Sequence, residues 1–246
     1  MNRTALVTGT SSGIGLAIAQ HLLEDGWSVI GLSRRAAPLA ASSYRSLRAD
    51  LGDPRALEQA LDELLATEAA IDALIACAGA GRFGALEQQA AADIDAQLQL
   101  NLAAPIRIAR RLLPGMKRRG RGDLLFIGSE TALRGGRYGS VYTAAKSGLR
   151  GFTRALREET ASAGLRVMLI NPGMTRSPFH DHADFAPGDD PANALLPDQI
   201  AEAAVSMLNA AQNLVVDELN LSPLKKVVRK KRRSAQGMRN EKNKPS

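Results

Sequence analysis

The chain has 246 residues, 45% of them hydrophobic, enough for a sizeable core in one α/β domain with no second domain required. Its formal net charge of +7 is lopsided: Lys225 to Ser246 holds ten Lys/Arg against one acid, while the remaining 224 residues carry 22 basic and 24 acidic side chains. The basic character belongs to the tail, and the lone Cys77 excludes an internal disulfide. No apolar run approaches about 18 residues, and the N-terminus enters an apolar run at once, so neither a membrane span nor a signal peptide is expected. The single thiol fits a reducing, cytoplasmic compartment.

Thr4 to Val7 reads as a buried strand and Leu16 to Leu23 as an apolar-periodic helix, joined by Thr8-Gly9-Thr10-Ser11-Ser12-Gly13-Ile14-Gly15. Glycines at such a junction let the backbone turn tightly, and a helix N-terminus offers free N–H groups to a pyrophosphate. An ordinary Gly-rich turn is the alternative; the flanking strand and helix favour nucleotide binding. Ser28 to Leu32 is the second strand, ending in Ser33-Arg34-Arg35. An acid at this place binds a ribose 2′-hydroxyl, whereas an arginine accommodates a 2′-phosphate. Two arginines and no acid favour NADP(H) over NAD(H), Arg34 more than Arg35; solvated loop charges are the other reading.

Tyr44 to Ala49 is a third strand, closing on Asp50-Leu51-Gly52-Asp53-Pro54. Asp53 is placed to cap a helix from Arg55 to about Glu68, with Pro54 at its first position. Asp50 is placed either to bind an adenine amino group or to serve the turn. Ile71 to Ala76 is a fourth strand, leading into Cys77-Ala78-Gly79-Ala80-Gly81, small residues that admit a ligand or another backbone. Cys77 reads as a small buried residue rather than a nucleophile. A long helix is expected from about Asp93 to Lys117, carrying Asn101 and kinked at Pro105.

Leu124 to Ile127 is the fifth strand; Ser129 follows it at the sheet edge where ligands bind in open α/β folds. The next helix runs from Ser140 to about Ala163 and places Tyr142 and Lys146 four residues apart on one face, about 5–6 Å apart at Cβ. A phenol loses its proton only near pH ~10, and a nearby ammonium would lower that value. Arg166 to Ile170 is a sixth strand, followed by Asn171-Pro172-Gly173-Met174-Thr175-Arg176-Ser177. Residues 178–196 lack periodicity and read as a flap over a partly apolar pocket, with Phe179, Phe185, Leu195 and Leu196. His180 and His182 bracket Asp181 there and read as solvated loop residues, with no metal site. Pro197 to Asn209 is a last helix, and Leu214 to Leu219 a closing strand. Alternating strands and helices predict a doubly wound parallel sheet.

The sequence resembles the short-chain dehydrogenase/reductases over residues 3–222. The resemblance is carried by Thr8-Gly9-xxx-Gly13-x-Gly15, Asn101 in Asn101-Leu102-Ala103-Ala104-Pro105, Ser129, Tyr142-xxx-Lys146 and Pro172-Gly173. It implies a single-domain Rossmann fold of about seven parallel strands with helices on both faces, spanning residues 1–224; residues 225–246, poor in apolar residues and rich in charge, read from composition as a basic, disordered tail. It also implies hydride transfer between NADP(H) and a carbonyl or secondary alcohol. Tyr142 would be proton donor or acceptor, Lys146 would lower its pKa and hold the nicotinamide ribose, Ser129 would bind the substrate oxygen, and Asn101 would hold a relay water. Cofactor contacts are then expected from Gly9, Ser11, Ser12, Gly13, Ile14, Gly15, Arg34, Asp50, Leu51, Ala78, Gly79, Asn101, Tyr142, Lys146, Pro172, Gly173, Thr175 and Ser177. The long helices imply a homodimer or homotetramer. Ala76-Cys77-Ala78-Gly79 departs from the family's Asn-Asn-Ala-Gly, and the tail has no family counterpart. Solvation, contact with nucleic acid or an anionic membrane are its open roles, and a binding protein whose tail engages an acidic partner is the alternative function.

Overall fold

A computed structural model describes residues 3–68, 70–181 and 183–231. The central strands β1 (Thr4–Thr8), β4 (Ala73–Ala76), β5 (Gly122–Ile127) and β6 (Leu165–Pro172) are nearly continuous apolar runs, as strands buried on both faces must be. With β2 (Ser28–Ser33), β3 (Tyr44–Arg48) and β8 (Glu218–Leu221) they form one seven-stranded sheet in the order β3-β2-β1-β4-β5-β6-β8. Every pairing in it is parallel.

The two-residue period of the strands sends alternate side chains to opposite faces. Leu6, Leu74, Leu124 and Phe126 pack with α2 (Pro54–Thr67), α4 (Ala104–Arg119) and α6 (Ser140–Thr160). Val7, Ile75, Leu125 and Ile127 pack with α1 (Gly13–Glu24) and α7 (Pro197–Leu208). Asp53 caps α2, accepting from Arg55 N at 2.8 Å and Ala56 N at 3.4 Å. Strand order reverses between β1 and β4, and the cleft opens beyond the carboxyl ends of these strands. At the opposite, amino end of these strands Asp123 accepts from Arg166 at 2.7 and 2.8 Å and from Arg3 at 2.5 Å. Arg166 also donates to the carbonyls of Leu208 and Ala210, just past α7.

Two expected elements are displaced. The helix expected over 93–117 is α3 (Ala91–Leu98), a π-helical turn at Gln99–Ala103, and α4. Its irregularity therefore precedes Pro105. Pro105 has no N–H to offer the carbonyl four residues back, that of Asn101, so the α-ladder is already broken there. The closing strand is Glu218–Leu221 rather than Leu214–Leu219: β6 offers pairing to Glu218 onward, while Val215 and Val216 pack their side chains on the core and Leu214 is exposed. A single helical turn, α5 (Thr131–Arg134), and a short ribbon of β7 (Phe185–Pro187) with β9 (Val228–Lys230) complete the described chain.

Candidate active site

At one end of the cleft, of about 400 Å³, lies the glycine turn. Gly9 has φ +78°, and a Cβ there would fall 2.9 Å from the Ala78 backbone; a Cβ on Gly15 would fall 2.5 Å from the Gly9 carbonyl. Only glycine lets β1 turn this sharply into α1. The first turn of α1 receives no side-chain cap from Ser12, which leaves its N–H groups facing the cleft as an anion cradle. Arg34 and Arg35 stand exposed at the end of β2 and border the same end, as do Asp50 and Leu51. Asp50 also performs the turn role, its Oδ1 accepting from Gly52 N at 2.9 Å.

The other end gathers the reactive side chains. Tyr142 is 6% and Lys146 4% exposed, and Ser129 lies beside them at the end of β5. The Lys146 Nζ donates to the Ile127 carbonyl at 2.8 Å. Burial lowers the lysine to about 8, with Cys77 pulling the other way. Burial also holds the Tyr142 phenol well above its ordinary value, and a hydrogen bond with Ser129 offsets only part of that rise. The lowered phenol pKa expected from Lys146 is thus not what this chain produces alone: desolvation dominates, and the ammonium is 5.8 Å from the ring centroid and engaged with Ile127. Asn101 sits in the π-helical turn, 1% exposed, donating to Ala80 O at 2.7 Å and Gln97 O at 2.9 Å. Its Oδ1 is buried without a partner among the described residues. All the residues expected to contact a cofactor border the cleft except Asn101, which lies directly behind it.

Thr8 satisfies the backbone just after β4, where Cys77 and Ala78 carry no side-chain amide. Its hydroxyl accepts from both Cys77 N and Ala78 N at 2.9 Å, tying the ends of β1 and β4 together. The Cys77 thiol is pushed up to about 12 by burial, which leaves it inert as a nucleophile. Asn171 accepts from Ser129 N at 3.3 Å and donates to Glu218 and Asn220, so β6 and β8 set the position of Ser129. Thr175 donates to Gly173 O at 2.9 Å, and Ser177 lies against Gly13 across the cleft.

The flap departs from expectation. His180 is not a solvated loop residue: its ring packs 5.0 Å from Phe179 and 5.4 Å from Phe185, its Nδ1 is buried without a partner among the described residues, and burial lowers its pKa. His182 lies outside the described residues. The start of the segment expected to be a disordered tail is ordered: residues 225–231 form β9 and its flanks, and Lys225, Lys226 and Arg229 pair with Asp190, Glu130 and Asp189. Acids of the chain itself engage these cations, so the described part of the segment lends no support to the binding-protein alternative. Residues 232–246 lie outside the described chain. Sequence reasoning also passed over Phe83, which reaches Tyr142 with ring centroids 5.7 Å apart. Its signal was an aromatic in a Gly-rich loop, between Gly81 and Gly84, with no helical or strand pattern to occupy it.

Among the described residues no helix is long and apolar enough to cross a membrane, and no cluster of three His, Cys, Asp or Glu could hold a metal ion. A family model described as short chain dehydrogenase matches residues 3–185. Acetoacetyl-CoA reductase of Allochromatium vinosum is 31% identical over 242 residues, covering 90% of this chain and 96% of that protein. A 3-ketodihydrosphingosine reductase of Bacteroides thetaiotaomicron is 30% identical over 181 residues, covering 74% of this chain and 67% of that one. An alcohol dehydrogenase of Thermococcus sibiricus, solved with 5-hydroxy-NADP, superposes with TM-score 0.80 at 27% identity, over 90% of this chain and 96% of that one. A 3-ketoacyl-(acyl-carrier-protein) reductase of Brucella melitensis, solved with NADH, superposes with TM-score 0.80 at 24% identity, over 92% and 98%, a likeness of fold. With a parallel sheet, a glycine turn, and the Ser129, Tyr142 and Lys146 cluster already in place, these matches make the chain a member of the short-chain dehydrogenase family.

Proposed function

We propose that the protein is an NADP(H)-dependent oxidoreductase that reduces a carbonyl to a secondary alcohol, with Tyr142 as general acid. The observation that carries this is the grouping of Tyr142, Ser129 and Lys146 at one end of a single cleft whose other end offers a glycine cradle and two exposed arginines. The Cβ-intolerant turn and uncapped N–H groups of α1 suit a pyrophosphate, and Arg34 suits a 2′-phosphate. When bound, the nicotinamide supplies the hydride to the carbonyl carbon.

The chain's residues supply the rest. Ser129 donates a hydrogen bond to the substrate oxygen and orients it toward Tyr142. Tyr142 gives its proton to that oxygen as negative charge develops there. A phenol held protonated by burial is in the state that reduction requires, and the positive charge of Lys146 stabilises the phenolate left behind. Asn101 would hold a water that returns a proton toward Lys146, a role supported by its Oδ1, buried without a partner among the described residues. The long helices α4 and α6 are the proposed contact of a homodimer or homotetramer, checked by light scattering.

The test is oxidation of NADPH, then NADH, against a panel of ketones, aldehydes and quinones, with Tyr142→Phe alongside. Turnover with NADPH that disappears in Tyr142→Phe supports the reading; equal turnover by Tyr142→Phe refutes the acid. Arg34→Ala should raise the KM for NADPH about tenfold, the size of one charge-assisted hydrogen bond, and leave NADH unaffected.

A further inference from the structure

The basic segment 225–231 has no part in the chemistry above, yet it is built into the site. β9 runs antiparallel to β7, Phe185 opposite Lys230 and Pro187 opposite Val228. Backbone bonds continue on either side: Gly188 N donates to Val227 O at 3.0 Å, Lys231 N to Asp184 O at 2.8 Å, and Lys225 N to Ala192 O at 2.9 Å. The side chains follow suit. Lys225 pairs with Asp190 at 2.9 Å and Arg229 with Asp189 at 2.7 Å, while Lys231 donates to the carbonyls of His180 and Asp181. Lys226 points the other way and pairs at 2.5 Å with Glu130, the neighbour of Ser129. One strand therefore ties the flap to the loop that carries a reactive hydroxyl.

What it holds down is an aromatic enclosure. Phe185 meets Phe83 with centroids 4.9 Å apart, Phe179 meets Tyr142 at 5.5 Å, and His180 bridges the two flap phenylalanines. Three of the chain's five phenylalanines converge here. The cations lining the cleft are Arg34 and Arg35 at the far end and Lys146 beneath Tyr142. Glu130 is neutralised by Lys226 and the Lys146 ammonium is engaged with the Ile127 carbonyl, so among the described residues the aromatic walls of this end present apolar faces, the imidazole nitrogen of His180 without a partner, and no cation aimed at a carboxylate or phosphate.

We propose that Phe83, Phe179, His180 and Phe185 form the subsite for the uncharged, apolar body of the carbonyl substrate, and that β9 is the positioning element that holds this subsite against Tyr142 and Ser129. The substrate half rests on the carbonyl-reductase reading; the strap does not. The test compares the full chain with Arg229→Glu, with Arg229→Glu/Asp189→Lys, and with a chain ending at Leu224. Hydrogen exchange is read at the flap amides of Ala186 and Gly188 in all four proteins, and at Lys231 in the three that contain it. Arg229→Glu should speed their exchange about fivefold, as expected for loss of an exposed ion pair, and the charge swap should restore it while β5 amides stay unchanged. In the kinetic arm, an uncharged aryl methyl ketone should exceed its para-carboxylate about tenfold in kcat/KM, as one desolvated charge predicts. Its KM should rise about fivefold in Arg229→Glu and recover in the swap.

Flap exchange that is unchanged in both Arg229→Glu and the shortened chain overturns the strap. Equal kcat/KM for the carboxylated ketone overturns the subsite. If NADPH reduces no ketone with the full chain, the reductase reading falls and takes the substrate half with it, and the exchange comparison still decides the strap.

Discussion

Replacing Lys146 with Met should make the protein more stable while removing the ammonium to which the proposed mechanism assigns stabilisation of the phenolate. Lys146 is 4% exposed, and burial lowers its pKa from 10.5 to about 8, Cys77 opposing the change. Keeping a proton there costs the folded state about 3 kcal/mol at neutral pH, at roughly 1.4 kcal/mol per pKa unit. Loss of the hydrogen bond to Ile127 returns about 1 kcal/mol of that, and Met fills similar space. The expected gain is about 1–3 kcal/mol, with Tm raised about 2–4 °C per kcal/mol. Because the folded-state pKa lies below the unfolded value, the unfolded chain holds the extra proton between about 8 and 10.5. The cost is full below that window and is relieved as pH rises through it. The advantage of Lys146→Met should therefore be greatest near pH ~7 and shrink by about 1.4 kcal/mol by pH ~9. The Cys77 thiol, which burial raises from 9.0 to about 12, withdraws stability above its unfolded value in both proteins, and differs between them only by the Lys146 charge that opposes the rise. Urea unfolding at the two pH values, followed through the buried Trp27, supplies the measurement. A variant less stable than wild type at pH ~7, or an advantage independent of pH, would refute the reasoning.

Three further outcomes are expected. Asp123→Ala leaves Arg166, 4% exposed, without its carboxylate and should cost about 3–5 kcal/mol in urea unfolding; a loss below about 1 kcal/mol would mean that water reaches the cluster. Gly79→Ala puts a methyl 2.8 Å from Asn101 Oδ1 and should cost about 1–3 kcal/mol and weaken NADPH binding by calorimetry. Wild-type affinity in that variant would place the cofactor elsewhere. Asp53→Ala removes the cap of α2 and should cost about 1 kcal/mol, a figure that thermal unfolding resolves.

The sheet was legible in the sequence because parallel strands buried on both faces leave uninterrupted apolar runs such as Ala5-Leu6-Val7 and Leu124-Leu125-Phe126-Ile127. The glycine turn was legible because positive φ at Gly9 and close backbone approach at Gly9 and Gly15 leave few other residue choices. What escaped depended on contacts remote in sequence. Nothing near Thr8 announces that its hydroxyl will serve the amides of Cys77 and Ala78, about seventy residues away. The order of residues 225–231 is invisible to composition, since charge-rich segments read as solvated unless their partners are known, and Asp189 and Asp190 lie in a stretch with no periodicity of its own. His180 was misjudged for the same reason: its burial comes from Phe179 beside it and from Phe185 across the flap. The direction of the Tyr142 pKa depends on how deeply the flap buries it, which the four-residue spacing to Lys146 does not report.

The buried charge cluster beneath the sheet joins residues that leave the ribosome far apart in time. Arg3 precedes Asp123 by 120 residues and Leu208 by 205, yet its guanidinium meets Asp123 and the Leu208 carbonyl, and Arg166 reaches Leu208 and Ala210. The strand that begins at Thr4 lies in the middle of the sheet and needs β4 beside it, while its lower end is secured only once the residues after α7 have emerged. The nascent chain must therefore carry Arg3 solvated until Asp123 has been made, and the cluster incomplete until the residues after α7 follow, so closure of this end is expected to be a late, cooperative event that depends on chaperone protection more than a chain of local contacts would.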